Sequence, residues 1–192
     1  MMRIITGTAR GIKLNTLEGD ETRPTAERVK EAVFSMLQFD IEGREVLDLF
    51  SGSGQMALEA VSRGASHAVL VDRSPKAIKI IEENVEKTRL REKCSVKRCD
   101  CIDYIKQNAG RKFDIIFIDP PYASGLYGAV LNALYSYRML KGSTLIICES
   151  DFSALIDNDP LLQRVYSVQK TSKYSKTVVT VLGVNSEVES DG

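Results

Sequence analysis

The sequence predicts an α/β protein with a seven-stranded, mostly parallel, Rossmann-like sheet covered by helices on both faces. Three observations predict it. Short aliphatic or β-branched runs alternate with segments of helical spacing, and such alternation implies parallel strands joined by helical crossovers. The first of these runs leads into a glycine-rich turn, Ser51-Gly52-Ser53-Gly54. The fourth ends in a carboxylate followed by two prolines, Asp119-Pro120-Pro121.

The elements follow in order. Residues 3–6 and 11–14 flank a turn containing Gly7 and predict a small β-hairpin, and Ala26, Val29, Val33 and Leu37 then share one face of a helix. Residues 1–40 are therefore read as an extension of hairpin and helix, and residues 41–185 as the main domain. Residues 45–50, 68–72, 95–98, 113–119 and 143–149 read as five strands. Between them, Ala77, Ile80, Ile81, Asn84 and Val85 mark a helix with Ser74 as N-cap and Pro75 at its first position. Another starts near Asp100 and runs through Tyr104 and Ile105. A third follows Gly125, with Val130, Leu131 and Leu134 on one face. Residues 162–172 and 177–184 read as an antiparallel hairpin closing the sheet edge, and the polar segment 186–192 as a frayed tail.

Composition narrows the function classes. A chain of 192 residues with 43% hydrophobic and 27% charged residues suits one soluble globular domain. No apolar run approaches the roughly 18 residues of a membrane span, and the start lacks the apolar stretch of a secretory signal, so the expected compartment is the cytosol and no membrane partner is expected. Cys99 and Cys101 are separated by one residue, not the two or more of a zinc knuckle, and all four cysteines read as thiols. Cys94 and Cys148 fall in strand-like contexts as small hydrophobes. His67 is the one histidine, so neither a metal centre nor a histidine-based triad is expected.

The glycine loop runs from Asp48 to Ala57, where a strand ends and a helix begins. Gly52 and Gly54 allow a tight turn and close approach of a ligand to backbone amides, and the helix start presents unpaired N–H groups. Asp72 closes the second strand, 20 positions after Gly52, where a carboxylate can accept hydrogen bonds from both ribose hydroxyls. Asp100 suits either an adenine amino group or a helix N-cap. The spacing also satisfies G-x-G-x-x-A, so a nicotinamide or flavin site competes with other nucleotide-like cofactors at this point.

Asp119-Pro120-Pro121-Tyr122 separates them. Two prolines fix the backbone and remove N–H donors, so this corner presents carbonyl acceptors beside the Asp119 carboxylate. A base amine is a poor nucleophile because its lone pair is delocalised into the ring. Hydrogen bonds from its N–H groups to fixed acceptors favour the localised, pyramidal form. Tyr122 offers a face on which an extruded base can stack, worth about 1–3 kcal/mol. An oxidoreductase gives no reason for this motif, and a nonenzymatic RNA-binding factor needs no methyl donor.

The chain resembles the RsmD family of bacterial methyltransferases. The likeness runs through Met2 to Gly7, Arg10-Gly11, Lys13-Leu14, Thr22 to Thr25, Arg28 to Glu31 and Phe34. It continues through Asp48-Leu49-Phe50, Gly52-Ser53-Gly54, Leu58-Glu59-Ala60, Ser62 to Ala65 and Asp119 to Tyr122. The resemblance implies a class I methyltransferase fold and S-adenosylmethionine as methyl donor. It implies the N2 amine of a guanine in 16S ribosomal RNA, the one numbered 966, as target, in free RNA or in the assembling small subunit. It also implies a cofactor set of Asp48, Phe50, Ser51, Gly52, Gly54, Asp72, Arg73, Asp100 and Cys101, with Asp119, Pro120, Pro121 and Tyr122 at the target amine, and a monomer. Two departures stand out: Asp72 where relatives carry Glu, and 173–177 where they carry a Tyr-Gly-Asp-Thr-like turn. Adenine N6 and cytosine N4 amines fit the same acceptor corner.

Net charge is zero, so RNA affinity has to come from local patches. Residues 1–17 hold Arg3, Arg10 and Lys13 with no acidic residue, and Arg23 and Arg28 either extend that set or brace the helix over the cofactor; Lys170, Lys173 and Lys176 form another cluster.

Overall fold

The computed structural model describes residues 2–17, 24–121 and 125–185 and divides into two compact units, one up to Asp100 and one from Cys101 onward. Among the described residues there are seven strands. The first unit contains helix α1 (Pro24–Met36), strand β1 (Glu45–Asp48), α2 (Gln55–Ser62), β2 (His67–Asp72), α3 (Pro75–Thr88) and β3 (Cys94–Arg98). Its strands lie in the order β3-β2-β1, all parallel, with Asp48 level with Leu70 and Asp72 level with Arg98. Parallel strands buried on both faces read as near-continuous apolar runs, as Ala68 to Val71 do.

The second unit contains α4 (Cys101–Gln107), β4 (Phe113–Ile118), α5 (Leu126–Ser136), β5 (Leu140–Ser150), α6 (Pro160–Val165), β6 (Tyr166–Tyr174) and β7 (Thr177–Val184). Here β4 is parallel to β5, and β5, β7 and β6 follow as antiparallel neighbours. One expectation is corrected. Residues 162–165, read as the start of a strand, belong to helix α6. The signal was local: Asp159 accepts hydrogen bonds from the amides of Leu161 (2.9 Å) and Leu162 (3.2 Å), and Pro160 occupies the first turn.

The amino-terminal segment forms a narrower hairpin than its sequence suggested. The one strand bridge is Arg3 to Lys13, with Ile4 N–H donating to Ile12 (2.9 Å), Gly11 N–H to Ile4 (2.8 Å) and Leu14 N–H to Met2 (2.9 Å). Met2, Ile4 and Leu14 are buried while Arg3 and Lys13 are exposed, so the period of two is kept. The hairpin is fastened to α2. Glu59, fully buried, accepts from the amides of Ile5 (2.7 Å) and Thr6 (3.0 Å) and pairs with Arg63 (2.8 Å) and with the buried Lys30 of α1 (3.8 Å). Lys30 donates to the Arg3 carbonyl (2.6 Å), and the Arg63 guanidinium lies 4.8 Å from the Phe34 ring centroid. Ser62 adds three bonds: from Ala9 N–H (2.9 Å), to the Thr6 carbonyl (2.6 Å), and from Thr8 N–H to its own carbonyl (2.8 Å).

This close approach requires glycine at position 7. Its φ is +86°, and an added Cβ would lie 1.7 Å from the Ser62 carbonyl oxygen. Gly11, with φ +83°, has nothing within 4 Å of such an atom. Both substitutions to Ala incur the left-handed penalty of about 1–2 kcal/mol, and Gly7→Ala must also push the turn off α2. In thermal melts Gly7→Ala is expected to be clearly the more destabilising of the two; equal melting temperatures would mean that the turn tolerates displacement.

All four cysteines are free thiols as expected. Burial pushes the Cys94 thiol up to about 12 and Cys148 higher still, so neither is a reactive thiolate near neutral pH. His67 Nε2 lies 2.9 Å from Ser95 Oγ on the neighbouring strand. Among the described residues, no cluster of His, Cys, Asp and Glu could hold a metal ion, and no helix is long and apolar enough to cross a membrane.

Candidate functional site

In the first unit the carboxyl ends of three parallel strands bring together the glycine loop, Asp72 and Asp100. The loop leaves β1 by two left-handed residues, Gly52 (φ +53°) and Gly54 (φ +79°). Their surroundings differ. A Cβ on Gly54 would meet Leu70 Cδ2 at 2.9 Å, so this glycine lets the start of α2 pack on β2, whereas a Cβ on Gly52 would meet nothing within 4 Å. The Gly52 backbone therefore faces open space, as a loop that admits a ligand close to its main chain must.

Asp72 braces that loop. Its Oδ2 accepts from Gly52 N–H (2.9 Å) and its Oδ1 from Ser74 N–H (2.8 Å), so each oxygen keeps a lone pair for a further donor such as a ribose hydroxyl. Ser51 Oγ donates to the Asp48 carbonyl (2.9 Å), and Gly54 N–H donates to the Ser51 carbonyl (2.6 Å). Asp48 itself is buried, with Phe50 N–H at 3.4 Å from Oδ1. Burial pushes its carboxyl up to about 7; the charge on Asp72 adds to this and the Phe50 amide opposes it. Phe50 is half-buried, Ser51 buried, Arg73 exposed, and Asp100 half-buried one residue before the buried Cys101 that opens α4.

In the second unit β4 ends at Ile118, level with Cys148 of β5, and delivers an exposed Asp119, a buried Pro120 and an exposed Pro121 at its carboxyl end. Tyr122 lies outside the described residues. Glu149, in the sequence read only as strand, lies one residue before the end of β5 at the same edge, and burial pushes its carboxyl up. Its carbonyl accepts a hydrogen bond from the hydroxyl of Tyr127, whose ring meets Phe152 edge-on with centroids 5.5 Å apart.

Of the cationic residues, Arg3, Arg10, Lys13 and Arg28 are exposed, and Arg23 lies outside the described residues. Arg3 and Lys13 face each other directly across the hairpin, although Arg3 also pairs with Glu27 at 3.1 Å. Like charges placed opposite each other in an antiparallel pair oppose folding, a tendency that an anion held between them would offset.

The chain matches, over residues 2–182, the family model described as conserved hypothetical protein 95. The chain belongs to this family. Relatives bear out the resemblance to RsmD. The protein named "Putative rRNA methyltransferase YlbH" from Bacillus subtilis (strain 168) is 38% identical over 152 residues, covering 78% of this chain and 83% of that protein. Ribosomal RNA small subunit methyltransferase D from Escherichia coli (strain K12) is 33% identical over 150 residues, covering 78% of this chain and 75% of that protein. Among solved structures, "Putative methyltransferase yhhF" from Escherichia coli superposes with a TM-score of 0.81 at 27% identity, covering 96% of this chain and 98% of that one. The seven-stranded, mostly parallel fold is thus that of a class I methyltransferase.

Proposed function

We propose that this protein transfers a methyl group from S-adenosylmethionine to the exocyclic N2 amine of a guanine in small-subunit ribosomal RNA. Support for the methyl donor comes from the loop: a backbone open at Gly52, a carboxylate at Asp72 with lone pairs to spare, and an acidic Asp48 beside them. Support for an RNA substrate comes from the names of the relatives and from the opposed Arg3 and Lys13. The observation that carries the amine as target is the exposed Asp119 carboxylate followed at once by two residues without N–H donors.

S-adenosylmethionine, when bound, would supply an electrophilic methyl carbon on a sulfonium, with S-adenosylhomocysteine as the neutral leaving group once the sulfur–methyl bond breaks. Gly52 would let it approach the main chain, Gly54 keeps the start of α2 packed on β2 behind it, Asp72 would accept its ribose hydroxyls, and Asp100 and Cys101 would flank its adenine. Asp119 and a proline-flanked carbonyl would accept the two amine hydrogens, which turns the nitrogen lone pair out of conjugation and makes it available to an electrophilic methyl carbon. A proton then leaves the methylated nitrogen for water. Tyr122 would offer the face for the extruded base. Orientation of this kind contributes on the order of 7–11 kcal/mol in well-positioned systems.

The raised carboxyl of Asp48 gives this reading a pH signature. A neutral Asp48 favours the folded protein, and that contribution is full below the ordinary aspartate range and is lost as pH rises through about 7. A sulfonium and an ammonium favour the opposite, ionised form. Cofactor affinity should therefore rise with pH up to about 7 and level off above it, with a proton released on binding at pH 6. Calorimetry in buffers of different ionisation enthalpy measures that proton. In Asp48→Asn the pH dependence should flatten, and an unchanged profile in this variant would assign the titration to another group.

The function is tested by comparing ribosomal RNA from cells with and without the protein. Loss of one N2-methylguanosine from the small-subunit RNA is expected, at the guanine numbered 966. Loss of an N6-methyladenosine or N4-methylcytidine would keep the chemistry and replace the base. An unchanged modification map would refute the assignment.

A further inference from the structure

Asn84 is out of place on the apolar face of α3 that also carries Ala77, Ile81 and Val85. It is fully buried, and its carboxamide makes three hydrogen bonds. The oxygen accepts from Asn15 N–H (2.7 Å), and the amide nitrogen donates to the Asn15 carbonyl (2.9 Å) and to the Ser53 carbonyl (2.8 Å). Toward Asn15 the side chain behaves as a neighbouring strand's peptide would, and its second hydrogen reaches the middle of the glycine loop.

Ser53 is held a second time from the same direction. Its hydroxyl donates to Met2 Sδ at 3.1 Å. Met2 and Asn15 flank the Arg3 to Lys13 bridge, so both roots of the hairpin converge on one loop residue, Asn15 through Asn84 and Met2 directly. Ser53 sits between Gly52 and Gly54, whose backbones have little conformational preference of their own. Neighbours must impose the loop's shape: Asp72 at Gly52 N–H, the Ser51 carbonyl at Gly54 N–H, and Asn84 at the Ser53 carbonyl.

We infer that Asn84 is a positioning residue for the methyl-donor site, locking the glycine loop in its binding shape by clamping Ser53 to the roots of the amino-terminal hairpin. This rests on the reading of that loop as the S-adenosylmethionine site. No close substitute can do the same. Aspartate has no hydrogen to donate and would set a carboxylate against two carbonyls, glutamine is one methylene too long for a filled space, and alanine leaves the buried Ser53 carbonyl and both main-chain groups of the half-buried Asn15 without this partner. When the competent loop becomes a minority of the population, apparent affinity falls in proportion to its share.

The test is titration of the full chain with S-adenosylhomocysteine, together with steady-state methylation of small-subunit RNA. Asn84→Asp and Asn84→Ala should bind the nucleoside roughly tenfold more weakly, a tenth of the loops being competent. KM for the methyl donor should rise by the same factor, while kcat at saturating donor and KM for RNA change little. Asn15→Pro removes the main-chain donor at the far side of the clamp, together with the Asn15 side-chain bonds to Glu83 (2.8 Å) and Lys87 (3.0 Å), while leaving the residues of α3 unchanged; it should shift donor affinity in the same direction, which decides the matter if the Asn84 variants do not fold. Folded variants that bind S-adenosylhomocysteine as tightly as the parent, even with a lower melting temperature, would overturn the inference and leave Asn84 a purely structural residue. A parent protein that binds no S-adenosylhomocysteine would instead refute the reading of the loop itself, and the inference with it.

Discussion

Asp119→Ala is expected to lower methyl transfer by at least about 10²–10³-fold while leaving S-adenosylhomocysteine affinity unchanged. The magnitude is that of removing one preorganised polar group from a reacting centre. Asp119 follows a strand buried along its whole length, Phe113 to Ile118, and is itself exposed, so its removal takes a functional group from the edge without opening the core. Pro120 and Pro121 hold the backbone behind it and contribute no N–H that could compete for the acceptor. Asp119→Asn keeps one carbonyl acceptor and should retain more activity than the alanine variant. The measurement is kcat and KM for both substrates. A fall confined to kcat supports the assigned role, whereas full activity in Asp119→Ala would remove Asp119 from the reaction.

Glu59→Ala should be strongly destabilising, at about 3–5 kcal/mol, because it leaves a buried cation and two part-buried amides without their anion. Glu59 is fully buried, and Lys30 beside it is only 2% exposed. Burial alone pushes the Lys30 ammonium below its ordinary range, and the Glu59 charge opposes that shift. Removing Glu59 therefore strands Lys30 as well as the Ile5 and Thr6 amides. For a chain of this size the loss corresponds to a fall of roughly 6–20 °C in melting temperature. Because the same carboxylate seats the hairpin that presents Arg3, Arg10 and Lys13, RNA affinity should fall together with stability. A melting temperature within about 2 °C of the parent would mean that the hairpin is held by its apolar contacts and by Ser62 instead.

These two carboxylates illustrate what the sequence disclosed and what it did not. Asp119 was legible because its neighbours are unusual: two prolines after an apolar strand leave few structural explanations. Glu59 was not, since an acidic residue on a helix reads by default as solvated, and its burial arises only when residues 3–9, distant in sequence, fold back onto α2. Asn84 showed itself as a polar residue in an apolar stripe, but its two partner residues, Ser53 and Asn15, lie 31 and 69 positions away, beyond any local pattern. The same contrast holds for the fold. The parallel strands declared themselves through uninterrupted apolar runs, and α3 through its Ser74 cap, whose Oγ accepts from Ala77 N–H at 3.4 Å. Helix α6 escaped because six residues are too few for a helical period to outweigh the strand pattern that continues from Tyr166, although Asp159-Pro160 carried the capping signal.

The reading of the two motifs as parts of one enzyme is tested most directly by incubating the purified chain with S-adenosylmethionine labelled in its methyl group and small-subunit RNA, then digesting the RNA to nucleosides and separating them by mass spectrometry. Label is expected in N2-methylguanosine alone, dependent on Asp119. Label in a ring-carbon or ribose methyl product, or unabated transfer by Asp119→Ala, would contradict an acceptor corner that works by gripping an amine.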